Sequence, residues 1–266
     1  MHARCTLLLL KGAKFLGELG TVRRYSYWSD RRVRDIAADN NIDLNRHWQL
    51  GFKTPALGLL PQAEVTKERR AVQRHEIALR VERAIGQIAV EDFVTPPPAA
   101  YVKGCSGVTF AAYTRWYGEK KKAKRKAVVI HTRTKSSNGY RVKICFFASI
   151  ENCAGYLSGS EAEAPMWSSS STGVIEEFIA NQGKRKAELY DDDESIAVEI
   201  LRTINNQGMT DKYVFKRIVS AEWFAEVYHD VELDKGRWHL QPGIDLPEPV
   251  DRIVIGAPLW VRSNNG

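Results

Sequence analysis

The chain has 266 residues, of which 44% are hydrophobic and 27% charged, values typical of a folded globular protein and not of a disordered one. Its 39 lysines and arginines outnumber 32 acids, for a formal net charge of +7. Four cysteines without a C-x-x-C pair favour a reduced, cytoplasmic protein over a disulfide-stapled secreted one. No apolar run approaches the roughly 20 residues that cross a bilayer, so we expect no membrane partner.

The first 21 residues are predicted to precede the fold. The apolar run from Thr6 to Leu10 is shorter than the roughly 7–15 residues of a secretory signal, and lysines follow it directly. We interpret residues 1–21 as an N-terminal extension, with an over-long start as one explanation. A single domain is predicted over residues 22–262, with a short tail at 263–266.

The first part of the chain predicts one strand and two helices. The aromatic run at residues 24–28 is typical of a strand, and Ser29 is a good N-cap for the short helix that follows. Residues 43–63 carry scattered glycines and prolines and predict a long loop. An apolar stripe then predicts a helix over about 66–90, and Pro96–Pro98 predict an extended connection within the domain.

The rest of the chain alternates between strand and helix signals. In chain order the predicted elements are strands at 108–116, 127–135 and 140–150, helices at 174–181 and after the acidic run 191–194, a strand at 213–219, a helix capped by Ser220 with Phe224, Val227 and Tyr228 inward, and a final strand pair, RIVIG and PLWVR. Central strands with helices before and after them predict an α+β fold with a largely antiparallel central sheet and helices packed on it.

Positive charge is concentrated between Lys103 and Lys143. This stretch holds twelve lysines or arginines and one acid, Glu119, a local net charge of +11 in a chain whose total is +7. A local basic surface indicates an anionic partner.

Two of the predicted strands form a hairpin within this basic stretch. Apolar and basic residues alternate along 127–135 and 140–147. A three-residue turn, with Gly139 in the left-handed conformation, keeps the apolar and basic faces in phase. The register then predicts two cross-strand pairs on one solvent-exposed basic face: Lys135 with Arg141, and Arg133 with Lys143.

Like charges opposite one another destabilise a hairpin, and a bound anion would relieve that repulsion. We therefore predict that this face binds nucleic acid or a phosphorylated ligand. The predicted anion-binding residues are His131, Arg133, Lys135, Arg141 and Lys143, together with Lys121, Lys122, Lys124 and Arg125 of the adjoining basic run. A solvated sheet face and a surface for an acidic protein partner are the alternatives.

A second candidate site precedes the helix predicted at 174–181. Hydroxyls, a glycine and the free N–H groups of a helix start can hold a phosphate; the residues concerned are Ser170, Ser171, Thr172 and Gly173. Helix capping alone is the alternative, because the lysine and spacing of a P-loop are missing.

Sequence patterns for catalysis are missing. The chain contains no G-x-S-x-G elbow, no H-E-x-x-H and no cysteine–histidine cluster at metal-ligand spacing. We therefore expect a non-enzymatic binding protein without a metal or cofactor. An enzyme acting on a phosphorylated small molecule and an accessory protein of a bacterial regulatory or defence complex are the alternatives.

Several stretches carry a resemblance to a known family. They are YSYWSDRRVRDIA, RHEIALRVERAIG, TPPPAAYVKG, FFASIENCAGYLSGS and the ending IVIGAPLWV. With an aromatic-Ser-x-x-(Lys/Arg)-Val opening and a Gly-(Thr/Ala)-Pro-Leu-aromatic-Val ending, the chain resembles a bacterial, chiefly actinomycete, family known as a domain of unknown function. The matching positions run from about Tyr25 to Val261. The resemblance implies one intact domain and no particular activity, cofactor or catalytic residue.

Overall fold

The computed structural model describes residues 24–44, 62–117, 123–155, 178, 192–206, 214–234 and 249–263. Within them the helices are α1 (Asp30–Asp39), α2 (Gln62–Ile85) and α3 (Asp193–Asn206). The strands are β1 (Tyr25–Trp28), β2 (Ala89–Val90), β3 (Tyr101–Tyr117), β4 (Ala123–Lys135), β5 (Arg141–Ser149), β6 (Val214–Glu232) and β7 (Arg252–Ser263). The predicted α+β fold with a largely antiparallel sheet is confirmed.

Five of the strands close into a ring. β3 pairs with β4 along one edge and with β6 along the other, while β7 pairs with both β5 and β6. Since β4 also pairs with β5, the order around the ring is β3–β4–β5–β7–β6 and back to β3. Only the β5–β7 contact in this ring is parallel. β1 adds to β7, and β2 adds to β3.

The inside of the ring is a hydrophobic core. Successive side chains of a strand point to opposite faces, and one apolar set from each strand points inward. These residues, each no more than 2% exposed, include Val102, Val108, Phe110, Val128, Ile130, Val142, Ile144, Phe146, Ala221, Trp223, Val254 and Val261. Full burial of one such large side chain is worth about 1.5–3 kcal/mol, so this core is a main source of stability.

Helices cover two separate parts of the outer face. α3 contributes residues such as Leu201 to an apolar cluster that also holds Phe147 of β5 and Ile255 of β7. α1 and α2 pack against Trp260 and other residues in a second cluster. The ring strands are therefore buried on both faces along part of their length.

A buried ion pair fastens the proline-rich segment before β3 to the ring. Arg252 Nη2 lies 2.5 Å from Asp230 Oδ2. Arg252 Nη1 also donates to the carbonyl oxygen of Thr95 at 2.6 Å, and Ala99 N donates to Asp230 Oδ2 at 2.8 Å. Because each charge is paired and further hydrogen-bonded, both can be buried.

Two predicted elements are wrong. The helix predicted after Ser220, with Phe224, Val227 and Tyr228 inward, is the middle of β6. Residues 221–226 pair with β3 on one edge and with β7 on the other, and this pairing overrides the helical spacing of the apolar residues. The predicted final strand pair is the single strand β7, which carries Pro258 next to a register shift, where a strand tolerates proline.

Other predictions agree with the structure or concern residues outside the described ranges. Ser29 is the N-cap of α1 and accepts a hydrogen bond from Arg32 N. Most of the predicted loop at 43–63, most of the predicted helix at 174–181 and the whole N-terminal extension lie outside the described residues. No helix among the described residues is long and apolar enough to span a membrane.

The predicted turn and register of the β4–β5 hairpin are confirmed. Gly139 has φ +90°, and its N–H donates to the carbonyl oxygen of Ser136 at 3.0 Å. Lys135 pairs with Arg141, and Arg133 pairs with Lys143.

Replacement of Gly139 tests this turn. We expect Gly139→Val to lower the free energy of unfolding by about 1–2 kcal/mol, because an L-residue with a Cβ disfavours the left-handed region. The cause is conformational, since a Cβ at this position meets no atom within 4 Å. Gly139→Asn, which tolerates positive φ, is the control and should lose less than half as much in urea denaturation. Equal losses would contradict the turn.

Candidate anion site on the outer face of the β4–β5 hairpin

The ring register gathers cationic side chains on the outer face of β3, β4 and β6. Arg217 pairs with Thr109, which pairs on its other edge with His131. Paired residues of neighbouring strands point to the same face, so Arg217 and His131 lie on one side of the sheet. Arg133 follows His131 on β4, two residues along and on the same face, and pairs with Lys143.

The predicted solvent exposure of the whole basic face is wrong. Arg133 and Lys135 are exposed, whereas Lys143 is only 2% exposed and His131 only 8%. Lys143 is flanked on its strand by Cys145 and pairs with Ile253 of β7. Both neighbours belong to the apolar cluster that α3 covers. The basic face therefore has a buried part and an exposed rim.

Arg141 has a structural role on this face. Its Nε donates to Asp251 Oδ2 at 2.8 Å and its Nη2 to Asp251 Oδ1 at 3.1 Å. The backbone N–H of Arg141 donates to the same carboxylate at 2.9 Å. This bidentate pair joins the start of β5 to the start of β7. Because the guanidinium group of Arg141 is paired with Asp251, we do not count Arg141 among the anion-binding residues.

The Lys143 ammonium fixes the tautomer of His131. Lys143 Nζ lies 3.3 Å from His131 Nδ1. An ammonium group can only donate, so Nδ1 accepts and the hydrogen of the neutral imidazole is on Nε2. His131 Nε2 is buried and has no hydrogen-bond partner within the part of the chain that is described. A buried donor without an acceptor costs about 1–3 kcal/mol, so this position calls for an acceptor.

The electrostatic surroundings indicate what kind of acceptor fits. Burial first, and then the charges of Lys143, Arg133 and Arg217, lower the pKa of His131 from 6.5 to about 3. His131 is therefore a neutral N–H donor at physiological pH, surrounded by three cations. An anionic oxygen satisfies the donor and interacts favourably with all three charges.

The rim of this site is open toward β3 and β6. Gly107 is exposed and contributes no side chain, Thr109 is half-buried, and Arg133 and Arg217 are exposed. Val219, which lies in the register shift of β6 beside Gly107, is 93% exposed. An anion can thus approach from this side. We call the group formed by His131, Arg133, Lys143 and Arg217 the His131 site.

Sequence reasoning missed Arg217, and several of the residues that it predicted lie elsewhere on the sheet or outside the described ranges. Arg217 is more than 70 residues away in sequence, and its only signal was its place at an alternate position of a predicted strand. Lys124 and Arg125 lie on β4 beyond the ring, in register with Trp116 and Arg115. Lys121, Lys122, Ser170, Ser171, Thr172 and Gly173 all lie outside the described residues.

Comparison with models of known protein families, with curated proteins and with solved structures finds no match to this chain. Within the described ranges no group of three or more histidine, cysteine, aspartate or glutamate side chains is placed to hold a metal ion.

The lowered pKa of His131 makes stability depend on pH. Below pH 6.5 the unfolded chain binds a proton at this residue, whereas the folded chain does so only near pH 3. Stability due to His131 is therefore lost as pH falls through this window. We expect that the fall in the free energy of unfolding between pH 7 and pH 5 includes about 2 kcal/mol from this residue.

His131→Gln, which retains an acceptor for Lys143, should reduce that fall by the same amount in urea denaturation at the two pH values. Parallel pH profiles for the wild type and the variant would contradict the buried neutral imidazole.

Proposed function

We propose that this chain is a non-enzymatic intracellular protein that binds an anionic partner, nucleic acid or a phosphorylated ligand, at the His131 site. The observation that carries the proposal is the buried Nε2–H of His131, which has no acceptor among the described residues while three cations surround it. The described cysteines, Cys105, Cys145 and Cys153, form no disulfide bond with one another, in keeping with a reducing compartment.

The architecture of the ring supports this proposal. In chain order the five ring strands are β3, β4, β5, β6 and β7, here counted as first to fifth. Around the ring they follow the order first–second–third–fifth–fourth, and the third and fifth strands are parallel. This is the strand order of the OB-fold, a five-stranded Greek-key barrel whose second and third strands present the surface that binds oligonucleotides or oligosaccharides. Here those strands are β4 and β5, which carry three of the four members of the His131 site. The likeness is one of topology and supports the function by analogy.

The chemistry of the site favours binding over acid–base catalysis. A general base works best with a pKa near the working pH, and the pKa of His131 is lowered to about 3. Its Nδ1 also faces an ammonium group, whereas a catalytic histidine is commonly oriented by a carboxylate. The imidazole is thus suited to donate a fixed hydrogen bond and poorly suited to accept a proton.

The exposed rim and the buried part of the site contribute to anion binding in different ways. The exposed guanidinium groups of Arg133 and Arg217 attract and contact the anion, and such contacts weaken as salt rises. His131 Nε2 then donates one hydrogen bond in a buried position, with the Lys143 charge behind it. Charge-assisted hydrogen bonds of this kind are about twice as strong as neutral ones.

Reversal of one rim charge tests the proposal. We expect Arg133→Glu to weaken binding of inorganic polyphosphate at least about tenfold at low salt, and to lower the slope of log affinity against log salt by about one. Stability should change by less than about 0.5 kcal/mol, because Arg133 is exposed. Reversal of Lys143 is unsuitable for this test, since that side chain is buried.

The matched control is Arg31→Glu on α1, which makes the same change in net charge at a side chain that is 67% exposed. Arg31 lies in the helix that covers another part of the ring. Affinity is measured by isothermal titration calorimetry at two salt concentrations. The proposal fails if wild-type protein does not bind polyphosphate at low salt, or if the two variants lose affinity equally.

A further inference from the structure

The residues around the His131 site form two adjacent rows across the outer face of the sheet. In the first row Arg217 of β6, Thr109 of β3 and His131 of β4 are paired in register. The second row holds Gly107 of β3 and Arg133 of β4, each two residues along its strand and on the same face. Neighbouring strands lie about 4.8 Å apart, so the backbones of β4 and β6, which flank β3, are about 10 Å apart. Long side chains of these two strands can therefore contact one small group that lies over β3.

Gly107 leaves a gap in this part of the outer face. Ser106 accepts a hydrogen bond from Trp223 Nε1 at 2.8 Å, and Val108 and Trp223 both belong to the enclosed core, so the two neighbours of Gly107 point inward. Gly107 lies between them and is exposed. A Cβ at this position would lie 3.2 Å from the carbonyl oxygen of Val219, a tight contact that disfavours any side chain. The space beside Arg133 over β3 is therefore bounded by backbone alone.

Hydrogen-bond donors surround this gap at different depths. Arg133 and Arg217 are exposed, and the half-buried Thr109 adds a hydroxyl group between His131 and Arg217. The Nε2–H of His131 is buried and has no acceptor among the described residues. Lys143 adds a buried positive charge behind the imidazole. The charges that act on the pKa of His131 are those of Lys143, Arg133 and Arg217, with no carboxylate among them in the described part of the chain.

We infer that the His131 site binds a phosphomonoester group, a phosphate esterified at one oxygen only, and that the Thr109 hydroxyl is one of its ligands. The inference rests on the proposed function and names the class of ligand. A phosphomonoester carries a charge of about −1.5 to −2 at pH 7 and three strong acceptor oxygens. These oxygens can accept hydrogen bonds from the imidazole, the hydroxyl and the guanidinium groups together. A phosphodiester has a single charge, fewer free oxygens and a second substituent, so it satisfies fewer of these donors.

The test compares methyl phosphate with dimethyl phosphate, which differ by one methyl group and one ionisable oxygen. Binding to the full chain is followed through the nitrogen-15 resonances of His131 during titration at neutral pH and low salt. We expect methyl phosphate to bind at least about tenfold more tightly, because it offers an additional charged oxygen to cationic donors.

Oligonucleotides identify the source of the phosphomonoester. A short oligo(dT) is titrated with a 5′-phosphate, with a 3′-phosphate and with neither. Tighter binding of a phosphorylated oligo(dT) than of methyl phosphate assigns the group to a nucleic-acid end, whereas equal binding assigns it to a small molecule. Both results support the inference. An unphosphorylated oligo(dT) that binds as tightly as the phosphorylated forms overturns it, because internal diesters would then be sufficient.

Substitutions at Thr109 test the role of its hydroxyl. Thr109→Val keeps the shape of the side chain and removes the donor, and should weaken methyl phosphate binding about tenfold, as expected for loss of one hydrogen bond to a charged group. Thr109→Ser keeps the hydroxyl and should bind like the wild type. The matched control is Thr134→Val, the same change at a half-buried threonine of β4. Thr134 pairs with Val142 of the enclosed core, so this change should leave the affinity unaltered.

The outcomes distinguish this inference from the proposed function. If polyphosphate binds and methyl phosphate binds no more tightly than dimethyl phosphate, the inference is wrong and the proposed function stands. If Thr109→Val binds methyl phosphate like the wild type, or Thr109→Ser loses as much affinity as Thr109→Val, the hydroxyl is not a ligand and the inference is also overturned. If neither polyphosphate nor methyl phosphate binds, both proposals fail.

Discussion

The rest of the structure depends on β6, because this strand closes the ring. Its first two-thirds pair with β3, its last two-thirds pair with β7, and the two pairings overlap in the middle. The approach to β7 is very close at Gly256, where a Cβ would lie 2.1 Å from the carbonyl oxygen of Glu226. Only glycine fits such a contact without a shift of the backbone. Closure then separates the strand side chains into an enclosed core and an outer face.

The chemistry of the outer face follows from this closure. Because the inside of the ring is filled with apolar side chains, the charged residues of β4 and β5 must lie outside. α3 covers part of that outer face, and two neighbours of Lys143, Cys145 and Ile253, belong to the cluster in which it packs. The ammonium of Lys143 is buried against His131 and determines which imidazole nitrogen carries the hydrogen. A buried donor thus lies at the rim of a basic surface.

The sequence predicts the local structure of the candidate site well. Alternation of apolar and basic residues and a glycine in the turn are sufficient to predict the register of the hairpin, because a slip by one residue would exchange core and surface. The cross-strand pair of Arg133 and Lys143 follows from these local rules alone. The N-cap Ser29 and α1 are predicted for the same reason, since the signals lie within a few residues of one another.

What the sequence does not predict depends on contacts between distant segments. The middle of β6 has apolar residues at helical spacing, and only its pairing with β3 and β7 makes it a strand. Lys143 is buried beside Ile253 of β7, which lies 110 residues later in the chain. Arg217 joins the site through Thr109 of β3, a contact for which no local pattern exists. Fold class and hairpin register are therefore accessible from local rules, whereas ring closure and the composition of the site are not.

We propose that the Lys143 ammonium holds His131 as a neutral imidazole whose Nε2–H donates a hydrogen bond to a bound anion. The most direct test is a nitrogen-15 NMR measurement of the His131 ring in the full chain at neutral pH, with and without inorganic polyphosphate. We expect the neutral Nε2–H tautomer in the free protein, a shift of the Nε2 resonance when polyphosphate binds, and a higher His131 pKa in the complex. A protonated ring, the Nδ1–H tautomer, or a His131 signal that polyphosphate does not change would contradict it.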